Sequence, residues 1–185
     1  VDLVTSLKPI TEYLEHAKTR APSAQPIAVL QGFGAADMEI DLGTPGRRPT
    51  RAETRAMAFT AVIGGAHGIY WYGQSAITSS DQLWADVRAV VRDLRRVSGV
   101  LGLPSLTTTA TGAGLAIAAW QGEHTVFVMI AEHEGHATTL QLPIDRRGSR
   151  VVDVLTGELL GRDVEGTLPV AFGAYDSRLI AIVFD

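Results

Sequence analysis

Three groups of side chains in this sequence have the chemistry to hold a ligand. Gln31 follows the apolar run Pro26–Leu30 and precedes Gly32-Phe33-Gly34. Its amide both donates and accepts hydrogen bonds, which suits a hydroxyl-rich partner. Tyr70-Trp71-Tyr72 closes a second apolar run. Such rings offer a flat apolar face with a polar edge, and strand alternation allows only one of Trp71 and Tyr72 to point to a given side. Asp37, Glu39 and Asp41 stand at every second position of a segment from Gln31 to Pro49 that has no periodicity. They read as solvated loop charges, with a cleft carboxylate or a hard-cation site such as calcium as the sharper alternatives.

Other constellations resolve toward structural roles. Thr50-Arg51-Ala52-Glu53 has capping-box spacing, which makes Glu53 a helix cap before it is a catalyst. Arg48 and Arg55 are placed to anchor the adjoining loop by ion pairing. Glu132-His133-Glu134-Gly135-His136 falls at an expected hairpin and lacks the i, i+4 histidines of a zinc protease helix, so no metal is expected there. Gly112-Ala113-Gly114 precedes a strand and offers no phosphate cradle. No Gly-x-Ser-x-Gly elbow occurs, and no cofactor is expected.

The elements that must position these groups fall into two halves. A helix is expected from about Pro9 to Arg20, ended by Ala21-Pro22-Ser23. Pro26–Leu30 reads as a strand covered on both faces, as in a parallel sheet. The capped helix from Thr50 runs to about Ile63 and stops at Gly64-Gly65, and His67–Tyr72 forms another buried strand. After an N-cap within Ser79–Asp81, Leu83, Val87, Val90, Val91, Leu94 and Val97 keep helical period to Ser98-Gly99. Beyond Pro104 the period becomes strand-like, in Leu115–Trp120, Thr125–Ala131, Thr138–Leu142, Arg150–Leu155 and Arg178–Phe184. Turn chemistry at Gln121-Gly122, Glu134-Gly135, Arg147-Gly148, Thr156-Gly157 and Gly173 separates them, which predicts a small antiparallel sandwich. The boundary is expected near Leu101–Thr107, giving units over 1–102 and 103–185.

Composition bounds the partners. The 185 residues are 46% apolar, enough for a packed core, and the formal net charge is −4. The 16 basic residues look scattered along the chain, so neither nucleic acid nor a membrane is expected as partner. The absence of cysteine excludes a disulfide framework but leaves the compartment open, secreted or periplasmic included. Nothing approaches the roughly 20 apolar residues that span a bilayer. Val1-Asp2-Leu3 is no signal pattern, and a start at Val1 reads as truncation or processing. The preference for Arg over Lys and the lack of Asn match a high-GC bacterial coding bias.

The run Pro26–Gly34, followed by Arg48-Pro49-Thr50, Glu53–Ala58 and Gly64–Tyr72, resembles the C-terminal part of glycoside-hydrolase-type (β/α)8 barrels. Val152–Glu158 resembles the β-sandwich that trails such barrels. The resemblance implies an α/β plus all-β chain, with the last βα units of a TIM-type barrel followed by a small antiparallel β-sandwich. It implies a carbohydrate substrate and glycosidic cleavage by two carboxylates, commonly at the fourth and the sixth or seventh strand ends. Gln31, Tyr70, Trp71 and Tyr72 would then contact sugar. Gln31 departs from the pattern, because a neutral amide cannot act as nucleophile or base. Catalysis is therefore expected to depend on upstream strands, supplied by a missing barrel half or by another chain. The alternatives are a non-catalytic carbohydrate-binding or scaffold protein and a self-contained α+β domain without an active site.

Overall fold

The computed structural model describes residues 6–34, 37, 47–73, 81–106, 110–112 and 114–184, with the backbone alone for 110–112 and 146–148. Its first half is α1 (Lys8–Arg20), β1 (Ile27–Gln31), α2 (Arg51–Ile63), β2 (Gly68–Tyr72) and α3 (Gln82–Leu101). Helix α1 carries Pro9 in its first turn, where no backbone donor is lost, and Lys18 and Arg20 in its last. The Thr50 side chain accepts from the Glu53 N–H at 3.3 Å, and the Thr50 N–H donates to Glu53 at 2.7 Å. This reciprocal cap fixes where α2 begins. Asp81 caps α3 by accepting from the Leu83 N–H at 2.8 Å. That helix passes the expected stop at Ser98-Gly99 and ends at Gly102, because Gly99 stands in open space and its missing side chain disturbs no packing.

β1 and β2 pair in parallel, with Leu30 opposite Trp71 and Gln31 opposite Tyr72. Ala28 and Leu30 are buried beneath the helices together with Met57, Ala58 and Ala61. The other sheet face carries Ile27, Val29, Tyr70 and Tyr72, exposed at 66, 64, 56 and 54%. Among the described residues this sheet has two strands, so the outer edges of both lack a ladder partner.

The second half consists of β3 (Ala110–Gly112), β4 (Leu115–Gln121), β5 (Thr125–Glu132), β6 (Thr138–Asp153), β7 (Leu159–Phe172) and β8 (Ser177–Val183). The expected sandwich is instead one curled antiparallel sheet of order β3-β4-β5-β8-β6-β7. The two runs expected as separate strands fall on the single strand β6, which takes in Thr138–Leu142 and Arg150–Asp153, and none of the expected strands covers β7. The register of β6 against β7 shifts between Ile144 and Val152. Such irregularities bend a strand. The first part of β6 pairs only with β7, while Arg150–Asp153 also pairs with β8. The hairpin thereby folds over the sheet, and Leu142, Ile144, Val170 and Phe172 meet Val128, Ile130 and Ile180 in one core.

The opposite face of this sheet packs on the helices. Phe59, Ile63 and Val97 join Ala116, Trp120, Met129 and Leu179 in a second core. Helix α2 is thus packed against both sheets, with Ala56, Ala58, Phe59 and Ala61 at 0% exposure, while Arg51 and Ala52 in its first turn are exposed. Small side chains let one helix approach two sheets at once.

Candidate functional site at the strand ends

The C-terminal tips of β1 and β2 lie side by side, and the segments that follow them are tied together. The Gly32 N–H donates to the Tyr72 carbonyl at 2.9 Å, which continues the ladder beyond Gln31. A side chain at Gly32 would meet that carbonyl at 2.9 Å, so glycine permits the close approach. The Phe33 ring stands edge-on to Tyr72, with centroids 5.9 Å apart. Gly73 adopts φ +94°, and a Cβ there would strike the Phe33 ring. Aromatic packing and two glycines therefore set the direction of Tyr72.

Gln31 and Tyr72 share the open face of the sheet, with Tyr70 one step further down. The Gln31 amide donates to the Phe33 carbonyl at 2.7 Å, which aims the group along the rim. Trp71 does not join them. It faces the helices and packs against their core, with its indole nitrogen buried and without a hydrogen-bond partner. Strand parity explains this: Trp71 lies opposite Leu30, and both belong to the covered face.

Arg48 clamps the two connecting segments. Its Nε and Nη2 each donate to the Asp37 carboxylate at 2.8 Å, and its Nη1 donates to Asp81. The Asp37 carboxyl is held below its usual range by the Arg48 hydrogen bonds, against a smaller burial effect, with the Gly34 N–H adding to the downward shift. Asp37 is accordingly an ion-paired strut, in place of the solvated charge expected. Glu39 and Asp41 lie outside the described residues. Arg48 anchors the loop as expected, whereas Arg55 lies over the Phe59 ring and 3.8 Å from Asp93 on α3.

Glu53 is buried and takes both terminal nitrogens of Arg47. Burial pushes its pKa up, but Arg47 and Thr50 outweigh this and the net shift is downward. Its capping role agrees with the spacing. Glu132, read only as a neighbour of the histidines, accepts three backbone N–H groups, from Glu134 at 2.7 Å, Gly135 at 3.0 Å and Tyr175 at 2.7 Å. His133 is buried and burial pushes its pKa down, while His136 is exposed. Among the described residues no three potential metal ligands cluster. The Arg48–Asp81 and Glu132–Tyr175 contacts join positions far apart in sequence, and no local pattern signals them.

Chemically, the rim offers an amide, an aromatic face and a phenol. Among the described residues the rim holds two acids, Asp37 and Asp81, and both are committed to one guanidinium. A groove of about 760 Å³ lies at the far end of the helices beside Lys18, Gly65, His67 and Trp120. Trp120 is only 8% exposed there and presents no open ring.

No protein-family profile and no curated protein sequence matches this chain. Solved structures share its fold. It superposes on an Anoxybacillus α-amylase with a TM-score of 0.61 at 13% identity, over 98% of this chain and 43% of that one. A β-L-arabinopyranosidase from Geobacillus stearothermophilus, in complex with arabinose, gives 0.62 at 13% identity, over 100% and 44%. AmyP in complex with maltotriose gives 0.65 at 14% identity, over 97% and 45%. These neighbours are glycoside hydrolases, and the chain spans less than half the length of each. At this identity the likeness is one of fold.

Proposed function

We propose that this chain is the C-terminal portion of a carbohydrate-active (β/α)8 hydrolase. In this reading β1-α2-β2-α3 supplies the last two βα units, and the curled sheet β3–β8 is the all-β domain that trails such barrels. The observation that carries the reading is the open sheet face. Ile27, Val29, Tyr70 and Tyr72 are exposed, next to two unpaired strand edges. Isolated two-stranded sheets are marginal, and apolar strand faces of this kind are normally covered. Further parallel strands, from the same polypeptide or another chain, would close the face and turn its side chains into a barrel interior. Gln31 and Tyr72 would then stand on the rim where such barrels keep their chemistry.

The division of labour follows from residue types. Gln31 orients sugar hydroxyls through its amide, Tyr72 supplies a face for the ring, and Tyr70 lines the wall below. The acid and the nucleophile or base come from the added strands, since Gln31 can be neither. The same neutral side chain favours a second reading, in which the assembled protein holds carbohydrate without cleaving it.

Titration calorimetry of the 185-residue chain with maltotriose, arabinose and galactose tests the rim, alongside hydrolysis of the matching aryl glycosides. Weak binding is expected for at least one sugar, with loss of about five- to tenfold in Tyr72→Ala, the scale of one aromatic stacking contact. Gln31→Ala should weaken it similarly, and the chain alone should release no aryl alcohol. Sugar binding indifferent to both substitutions would remove the rim from the proposal. Hydrolysis by the isolated chain would refute the assignment of catalysis to added strands.

A further inference from the structure

The basic residues look scattered in the sequence, but α3 gathers four of the 16 on one ridge. Arg88, Arg92, Arg95 and Arg96 are all exposed, while Val87, Ala89, Val90 and Val97 on the same helix are buried. At 1.5 Å rise per residue the row is about 12 Å long. The acids near it are engaged elsewhere. Asp81 holds Arg48, Asp86 is buried and accepts from Gln82 at 2.9 Å, and Asp93 faces Arg55. Among the described residues no carboxylate lies within ion-pairing distance of any of the four.

This arrangement works against the helix itself. Arg88/Arg92 and Arg92/Arg96 are like charges at i, i+4, a spacing at which they repel. None sits in the last turn of α3, where the helix dipole would favour it. Arg88 also lies over the Trp84 ring, 6.0 Å from its centroid, which holds one end of the row. Guanidinium groups in line without a counter-charge match an extended polyanion in charge.

We propose that the outer ridge of α3 docks an acidic polysaccharide, a polyuronate strand whose carboxylates pair with Arg88, Arg92, Arg95 and Arg96. The choice of a glycan among polyanions rests on the carbohydrate reading above. Planar guanidinium forks match carboxylates in bidentate geometry. A membrane partner would need the apolar side of the helix, and that side is buried in the protein. Single-stranded nucleic acid calls for successive aromatic platforms, and the row has Trp84 at one end only. Because the whole chain carries a net charge of −4, attraction is confined to this ridge and weakened by salt.

Calorimetry of the 185-residue chain with oligogalacturonate, at low and at physiological ionic strength, provides the test. Neutral maltooligosaccharide, oligothymidylate and anionic phospholipid vesicles serve as comparison ligands. Oligogalacturonate should bind in a salt-dependent manner. The triple variant Arg88→Gln, Arg92→Gln, Arg96→Gln should weaken it by about tenfold or more and flatten the salt dependence. Unchanged binding in a variant with wild-type circular dichroism would overturn the proposal, as would tighter binding of oligothymidylate or vesicles. Tyr72→Ala should leave oligogalacturonate binding intact. Loss of neutral-sugar binding in that variant alone reports on the rim, so the two ideas fail separately.

Discussion

Removing the Glu132 carboxylate should cost more stability than any other single change outside the apolar cores. The side chain is 1% exposed and accepts three backbone N–H groups, from two neighbouring turns. One of them belongs to Tyr175, a non-glycine residue at φ +56°, where the backbone needs outside support. A buried donor left without a partner costs about 1–3 kcal/mol. The three donors sit in turns that water can partly reach, so Glu132→Ala should cost about 3–5 kcal/mol, at the lower end of that range for each. Glu132→Gln retains one oxygen and should lose about 1.5–3 kcal/mol. Against a typical total of about 5–15 kcal/mol either change is large. Urea unfolding followed by circular dichroism measures both, and for a domain of this size each kcal/mol corresponds to about 2–4 °C in Tm. The amides of Gly135 and Tyr175 should also lose hydrogen-exchange protection. The reasoning fails if both variants lie within about 1 kcal/mol of the parent chain, or if glutamine is as harmful as alanine.

Two further expectations concern the rim. Gly73→Ala places a methyl group within 2.5–2.8 Å of Phe33 atoms at φ +94°, so it should cost about 2 kcal/mol and displace Phe33 from Tyr72, read by thermal unfolding and by the ring-proton shifts of Tyr72. Asp37 has a lowered pKa in the folded chain, so its ion pair adds stability above the ordinary aspartate pKa of about 3.9 and loses it as pH falls through the folded value. Asp37→Asn should therefore flatten the acid limb of the stability profile below about pH 4, and an unchanged limb would show that the clamp contributes nothing.

The parts of the fold visible in the sequence are those governed by local rules. The Thr50–Glu53 cap, the Asp81 cap and the apolar period of α3 each reside in a few adjacent residues and recur in the structure, whereas β1 and β2, expected to be covered on both faces, expose Ile27, Val29, Tyr70 and Tyr72 on one. Strand β7 was invisible because Gly161, Gly166 and Pro169 interrupt it and its side chains are mostly exposed, which blurs the two-residue period. Arg147-Gly148 reads as a turn because a glycine after a charge usually marks one, whereas here it falls where β6 changes register. The direction of Trp71 required the register of β1 against β2, a pairing that neither strand encodes alone. The same holds for Arg48, whose two partners are 11 and 33 residues away. The alignment of the α3 arginines needed only helical spacing, but its meaning depended on where Asp86 and Asp93 turned.

The packing of α2 against both sheets has a consequence for how the molecule could be divided. Its alanines fit against the parallel strands while Phe59 and Ile63 fill the curled sheet. A cut after α3 would strip a wall from each piece, leaving Met129 and Leu179 wet on one fragment and Phe59 and Val97 wet on the other. The two halves that differ so plainly in periodicity therefore share buried surface through α2, the keel common to both, and should unfold together.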